Sequence, residues 1–150
     1  MIAARALPDI ATTEKFAAEI APHLRVGDVL ALLGDLGAGK TTFARALLRA
    51  LGITGEVPSP TFSLVQSYDT SHFVVNHYDL YRLKNETELE ELDWDDAMAS
   101  GVMVVEWPER AARYMPDDRL DLHFVIESDG SRHCTIRPQG QWRQRWETIP

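Results

Sequence analysis

The residues best equipped for chemistry stand together at Gly34-Asp35-Leu36-Gly37-Ala38-Gly39-Lys40-Thr41. They fit the pattern G-x-x-x-x-G-K-S/T, in which each residue type has a physical task. Glycines at 34, 37 and 39 let the backbone turn tightly and aim its N–H groups at a phosphate. Lys40 is a point charge with the reach for β- and γ-phosphates, and Thr41 offers a hydroxyl to Mg²⁺. The apolar run Val29–Leu33 precedes the loop, and a segment rich in Ala, Leu and Arg follows it. A helix starting there adds unpaired amides and the positive end of its dipole. Strand, glycine loop and helix in this order predict a nucleoside triphosphate site from Gly34 to Thr41, with Thr42 beside it.

A phosphate loop of this kind needs a carboxylate at the end of a neighbouring apolar strand to hold the metal. Val102-Met103-Val104-Val105-Glu106 supplies it. Glu106 is longer than the usual Asp, which leaves direct and water-mediated coordination both open, alongside a plain strand cap. Trp107 beside it reads as a packing residue or as a shield against water. Two segments are candidates for the γ-phosphate side. Ser59-Pro60-Thr61-Phe62 puts hydroxyls on a rigid loop, as switch loops do, and also fits an ordinary proline turn. His77-Tyr78-Asp79-Leu80-Tyr81-Arg82 ends a strand with a carboxylate and an arginine. Asp79 is suited to orient an attacking water or extend the metal shell, and Arg82 to balance phosphate charge or pair with Asp79. The five histidines have no zinc-type spacing and read as surface or hairpin residues; Cys134 reads as a packed thiol.

The positioning elements follow from pattern. Thr12 to Leu24 has apolar residues at helical spacing, with Thr12 or Thr13 as a possible cap. Val29–Leu33 reads as a buried strand, and the helix from Thr41 to Leu51 stops at Gly52. Residues 53–61 form an irregular loop, and the β-prone runs Phe62–Tyr68 and Phe73–Tyr78 pair as a hairpin. Asn85 caps one helical stretch, Glu86–Met98, whose acidic face is solvated or meets a partner. Val102–Val105 is a second buried strand, and Leu120–Ile126 with His133–Ile136 flank the Asp129-Gly130 turn. The expected fold is α/β: a single P-loop NTPase-type domain over residues 1–150, with a mixed central sheet, antiparallel hairpins and flanking helices.

Composition narrows the partners. The chain carries 23 acidic against 15 basic residues, a net charge of −8, opposite in sign to a general nucleic-acid binder. One cysteine leaves no internal disulfide framework and no Cys-rich zinc site. No apolar run approaches the roughly 20 residues that span a bilayer, and the start reads as no secretory signal, so a cytoplasmic protein without membrane attachment is expected. From Arg132 onward four arginines face one glutamate, a local reversal of charge.

Taken together, GDLGAGKTTF (34–43), SPTFSLVQSY (59–68), HYDLYRL (77–83), ELEELDWDD (88–96) and VVEWPER (104–110) resemble the TsaE family, also called YjeE. The likeness runs from about Leu7 to Arg137, leaving the Arg-rich residues 138–150 outside it. The resemblance implies a bacterial P-loop ATPase needed to make N6-threonylcarbamoyladenosine at position 37 of tRNAs reading codons that begin with A. It implies action with a TsaB–TsaD heterodimer and ATP hydrolysis that supports turnover of that complex; from the residues themselves, the lack of an obvious arginine finger near the site predicts weak activity alone. By position it assigns phosphate to Lys40 and the loop amides, Mg²⁺ to Thr41 and Glu106, the functional aspartate to Asp79, and the switch-like hydroxyl to Thr61. It also places Ile10, Thr12 and Gly130 near the adenine. The charge balance argues that tRNA is engaged mainly indirectly. Two other readings stand beside it: a small P-loop phosphotransferase, disfavoured by the lack of any Lys or Arg between Arg49 and Arg82, and a nucleotide-gated assembly module with incidental hydrolysis. A GTPase reading lacks an N-K-x-D segment.

Overall fold

Strand β2 (Val29–Leu33) is apolar throughout because both of its faces are covered. The computed structural model describes residues 3–60 and 63–149. The other strands are β1 (Ala3–Ala6), β3 (Val65–Asp69), β4 (Val74–Asp79), β5 (Gly101–Glu106), β6 (Arg119–Ile126) and β7 (Arg132–Gln139). The helices are α1 (Ile10–Ile20), α2 (Lys40–Ala50), α3 (Glu88–Glu91), α4 (Trp94–Ser100) and α5 (Trp142–Trp146). Among the described residues the seven strands make one sheet, ordered β1-β7-β6-β2-β5-β4-β3. Its centre is parallel, β2 pairing with β5 and β6, and β4 with β5. Antiparallel strands close both edges, β7 and β1 on one side and β3 on the other. The expected α/β class with a mixed sheet is what the chain adopts.

Alternation along the strands divides the core in two. Leu30, Leu32, Val75, Val102, Val104, Leu120 and Leu122 face α1 and α2. Val29, Tyr78, Met103 and Val105 face Leu89, Trp94, Ala97 and Ala111 on the other side. On the first side Phe16 of α1, Phe43 of α2 and Phe124 of β6 stack in a tilted series with centroids 5.6 and 5.5 Å apart. Ring pairs at this spacing add about 0.5–1.5 kcal/mol each beyond area burial. They fix α2, and so the loop before it, against the sheet.

Several local expectations are corrected. Helix α1 begins two residues before Thr12, and its cap is Asp9, whose carboxylate accepts from the Thr12 amide at 2.8 Å and the Thr12 hydroxyl at 2.7 Å. Pro22 lies in a 3-10 turn, Ala21–His23, that ends the element. The acidic stretch is two short helices rather than one, broken at Asp93, which sits in the left-handed region at φ 54°. His77 is no surface residue: it is completely buried. The Arg-rich end, which the resemblance leaves unassigned, packs into the fold. Trp142, Trp146 and Ile149 complete the first core. Arg145 lies 3.9 Å from the Trp142 ring centroid and grips Asp28 through both carboxylate oxygens, at 2.6 and 2.8 Å.

Candidate functional site

The glycines of the loop adopt φ values of 141°, 78° and 115° at positions 34, 37 and 39, a region closed to most side chains. Gly34 has a second reason to lack a side chain, since a Cβ there would stand 2.5 Å from the Phe124 carbonyl oxygen. Gly39 caps α2 in a left-handed conformation and, as a glycine, brings no side chain to bond the helix's first amides. Those donors remain available for an anion, next to the positive end of the helix dipole.

Lys40 is buried among its partners. Its Nζ donates to the Gly34 carbonyl and, at 3.4 Å, to the Asp35 carbonyl, and lies 3.6 Å from the centroid of the Trp107 ring. Burial pulls its pKa below the ordinary lysine range, opposed by the nearby charges of Glu106, Glu109, Asp79 and Asp35. Trp107 is held in the left-handed region at φ 58°, which turns its ring under the ammonium, and Tyr81 packs against it at 5.0 Å.

The carboxyl ends of β2, β4 and β5 meet at this loop, the usual ligand position in an α/β sheet. Leu32 of β2 and Asp79 of β4 are both register partners of Glu106 on β5. Glu106 is 2% exposed and uses both oxygens: Oε1 accepts from the Thr41 hydroxyl at 2.8 Å, and Oε2 lies 2.6 Å from Nε2 of His77. The Thr41 hydroxyl and the Glu106 carboxylate form an oxygen-only pair at the start of α2. That donor set suits Mg²⁺, which takes one or two protein oxygens and completes its octahedron with water and substrate phosphate. Among the described residues no group of three or more His, Cys, Asp or Glu gathers to hold a metal unaided.

Asp79 is buried too, and its Oδ1 accepts from the Tyr81 amide at 3.1 Å. Asp79, Glu106, Thr41 and Lys40 line one cavity of about 370 Å³, with Ser59 and Arg82 at its walls. Leu36, Gly37, Gly39 and Thr42 line it as well. A second cavity of about 550 Å³ adjoins it across Gly39 and Thr42, and is formed by Ile10, Thr13, Ala38, Phe124, Gly130 and neighbouring residues. Thr12 does not line it, its hydroxyl being spent on Asp9. Asp35 lines neither of these two, contributing only its carbonyl beneath Lys40, and Gly34 sits behind the loop against β6. Thr61 lies outside the described residues.

Sequence reasoning overlooked His77 and did not foresee the stacking of Lys40 on Trp107. The alternation Val75, His77, Asp79 on β4 held a usable signal for the first, because those positions share the face that carries Glu106 on β5.

The family model for Threonylcarbamoyl adenosine biosynthesis protein TsaE matches residues 7–134. Relatives bearing the name tRNA threonylcarbamoyladenosine biosynthesis protein TsaE span several bacteria. The protein of Streptomyces coelicolor is 39% identical over 138 residues, covering 86% of this chain and 90% of that one. That of Bacillus subtilis is 37% identical over 129 residues, with 85% and 80% covered, and that of Rickettsia felis 37% over 125, with 83% and 73%. The crystal structure of Bacillus subtilis YdiB superposes with a TM-score of 0.83 at 29% identity, covering 99% of this chain and 94% of that chain. A P-loop between β2 and α2, a mixed sheet matching YdiB and a family match over most of its length lead to one conclusion: the chain belongs to the TsaE family.

Proposed function

We propose that this protein is a Mg²⁺-dependent ATPase serving the synthesis of threonylcarbamoyladenosine in tRNA, in partnership with a TsaB–TsaD heterodimer in the cytoplasm. The observation that carries the reading is the convergence of Lys40, the Thr41–Glu106 pair and Asp79 on one cavity at the P-loop. The names of the relatives supply the pathway. No helix among the described residues is long and apolar enough to cross a membrane.

ATP is the substrate. Its β- and γ-phosphates occupy the loop amides, and Lys40 leaves the Gly34 carbonyl to meet them. Thr41 and Glu106 would hold Mg²⁺, which would supply charge neutralisation for the transferring phosphoryl group. Asp79 accepts a hydrogen bond from a water and directs its oxygen at the γ-phosphorus, as the bond to the ADP oxygen breaks. The second cavity, bordered by Ile10 and Gly130, accepts the base and ribose. Arg82 lies at the cavity wall on an exposed stretch, so a full complement of positive charge around the γ-phosphate awaits the partner. A missing arginine finger costs about 10³–10⁵ in rate.

Phosphate release from ATP tests this reading. The isolated protein should turn over at about 10⁻² s⁻¹ or slower, and adding the heterodimer should raise the rate at least tenfold. Fast turnover alone, or no response to the heterodimer, would contradict it.

A further inference from the structure

We propose that His77 is a positioning residue for the magnesium-binding carboxylate, holding Oε2 of Glu106 so that Oε1 is the oxygen turned to Thr41 and the metal. The inference rests on the reading of Glu106 as a Mg²⁺ ligand and deepens it.

Four observations support the assignment. His77 and Glu106 occupy one face of adjacent parallel strands, since His77 pairs with Val104 and Asp79 with Glu106. The imidazole is 0% exposed and the carboxylate 2%, with 2.6 Å between Nε2 and Oε2. An ionised carboxylate only accepts, so Nε2 carries the proton and donates it. Among the described residues Nδ1 has no hydrogen-bond partner, so the ring's polar contact is this one. A Glu also has one more rotatable bond than the Asp usual at this position, and without an anchor its oxygens exchange places freely. Mg²⁺ demands strict octahedral geometry, which one fixed carboxylate oxygen satisfies better than a swinging pair.

Stability alone gives little reason for the pair. Burying a polar ring against a carboxylate costs desolvation that an apolar residue of similar volume avoids. Partners that orient metal ligands typically change metal affinity by about 10–100-fold when removed.

The test uses the full chain with Mn²⁺ as a spin-active stand-in for Mg²⁺, following free Mn²⁺ by electron paramagnetic resonance in the presence of ADP. Binding of ADP without metal is measured alongside by calorimetry. His77→Leu should weaken Mn²⁺ at least tenfold and leave metal-free ADP affinity unchanged. His77→Gln, whose amide can donate from about the Nε2 position, should stay within about threefold of the wild type. If His77→Leu does not fold, His77→Asn takes its place, since its shorter amide stops short of Oε2. Wild-type Mn²⁺ affinity in His77→Leu, or equal loss in the Leu and Gln variants, overturns the positioning role. Glu106→Gln separates that failure from failure of the underlying reading. If Mn²⁺ affinity survives in Glu106→Gln, the metal assignment itself falls and this inference with it.

Discussion

Asp79 and Glu106 are register partners at the carboxyl ends of adjacent parallel strands, so two carboxylates stand side by side over the phosphate loop. Their surroundings differ. Glu106 has both oxygens engaged, by the Thr41 hydroxyl and the His77 ring, whereas Asp79 takes a backbone amide from Tyr81 through Oδ1. On the proposed reading Glu106 holds the metal and Asp79 acts on the attacking water.

Asp79→Asn and Glu106→Gln should therefore reduce hydrolysis far more than ATP binding. Loss of a group that orients or deprotonates the nucleophile lowers the rate by about 10²–10⁴-fold. Calorimetry should find ATP affinity in Asp79→Asn within about threefold of the wild type, because the loop amides and Lys40 remain. Matched losses in affinity and rate would move Asp79 from catalysis to binding.

Lys40→Ala should weaken ATP by about ten- to a hundredfold, as expected for one charge-assisted contact worth about 1.5–3 kcal/mol. The same variant leaves Trp107 without its cation, and equal ATP affinity by calorimetry would displace the phosphates from this loop.

Arg145→Ala probes the C-terminal helix. Asp28 would lose its bidentate partner while only 6% exposed, and the His23 carbonyl would lose its donor. Breaking such a pair costs about 2–3 kcal/mol here, below the fully buried range because Arg145 keeps some solvent contact. Urea unfolding should report the loss, with ATP affinity unchanged. An unaltered midpoint would mean that the pair contributes nothing to stability.

The P-loop was legible because its pattern is local: Gly34, Gly39, Lys40 and Thr41 stand at the spacing that a phosphate loop requires. Glu106 was legible for a similar reason, as the carboxylate that ends an apolar run. What escaped depends on contacts distant in sequence. His77 meets Glu106 across 29 residues, and Arg145 meets Asp28 across 117. Strand β1, Ala-Ala-Arg-Ala, has no β-forming signature and exists because β7 offers it an edge. The break at Asp93 was hidden by helix-like composition on both sides; next to it Trp94 packs edge-on against Tyr78 at 4.9 Å. Asp9 is masked as a cap in the sequence by Thr12 and Thr13, which are capping types as well.

Alkaline pH should destabilise the fold in a defined window. Burial pushes the Cys134 thiol up from 9.0 to about 12, and the Tyr78 hydroxyl up from 10.0 to about 12, chiefly by desolvation. Both groups are neutral when protonated, and the folded state binds their protons more tightly. Their contribution is intact below the unfolded values and is lost as pH rises from about 9 towards 12. Unfolding free energy should be level to about pH 8.5 and then fall, and Cys134→Val should delay the onset of that fall. An unchanged onset in the variant would remove Cys134 as a contributor.

Whether hydrolysis at this site sustains repeated rounds of tRNA modification can be read by mass spectrometry of tRNA nucleosides from a reconstituted reaction run for many turnovers. With the wild-type chain, threonylcarbamoyladenosine should accumulate well beyond one equivalent of the heterodimer. With Asp79→Asn or Glu106→Gln it should stall near a single round. Full yield with both variants, or with this chain omitted, would contradict the account.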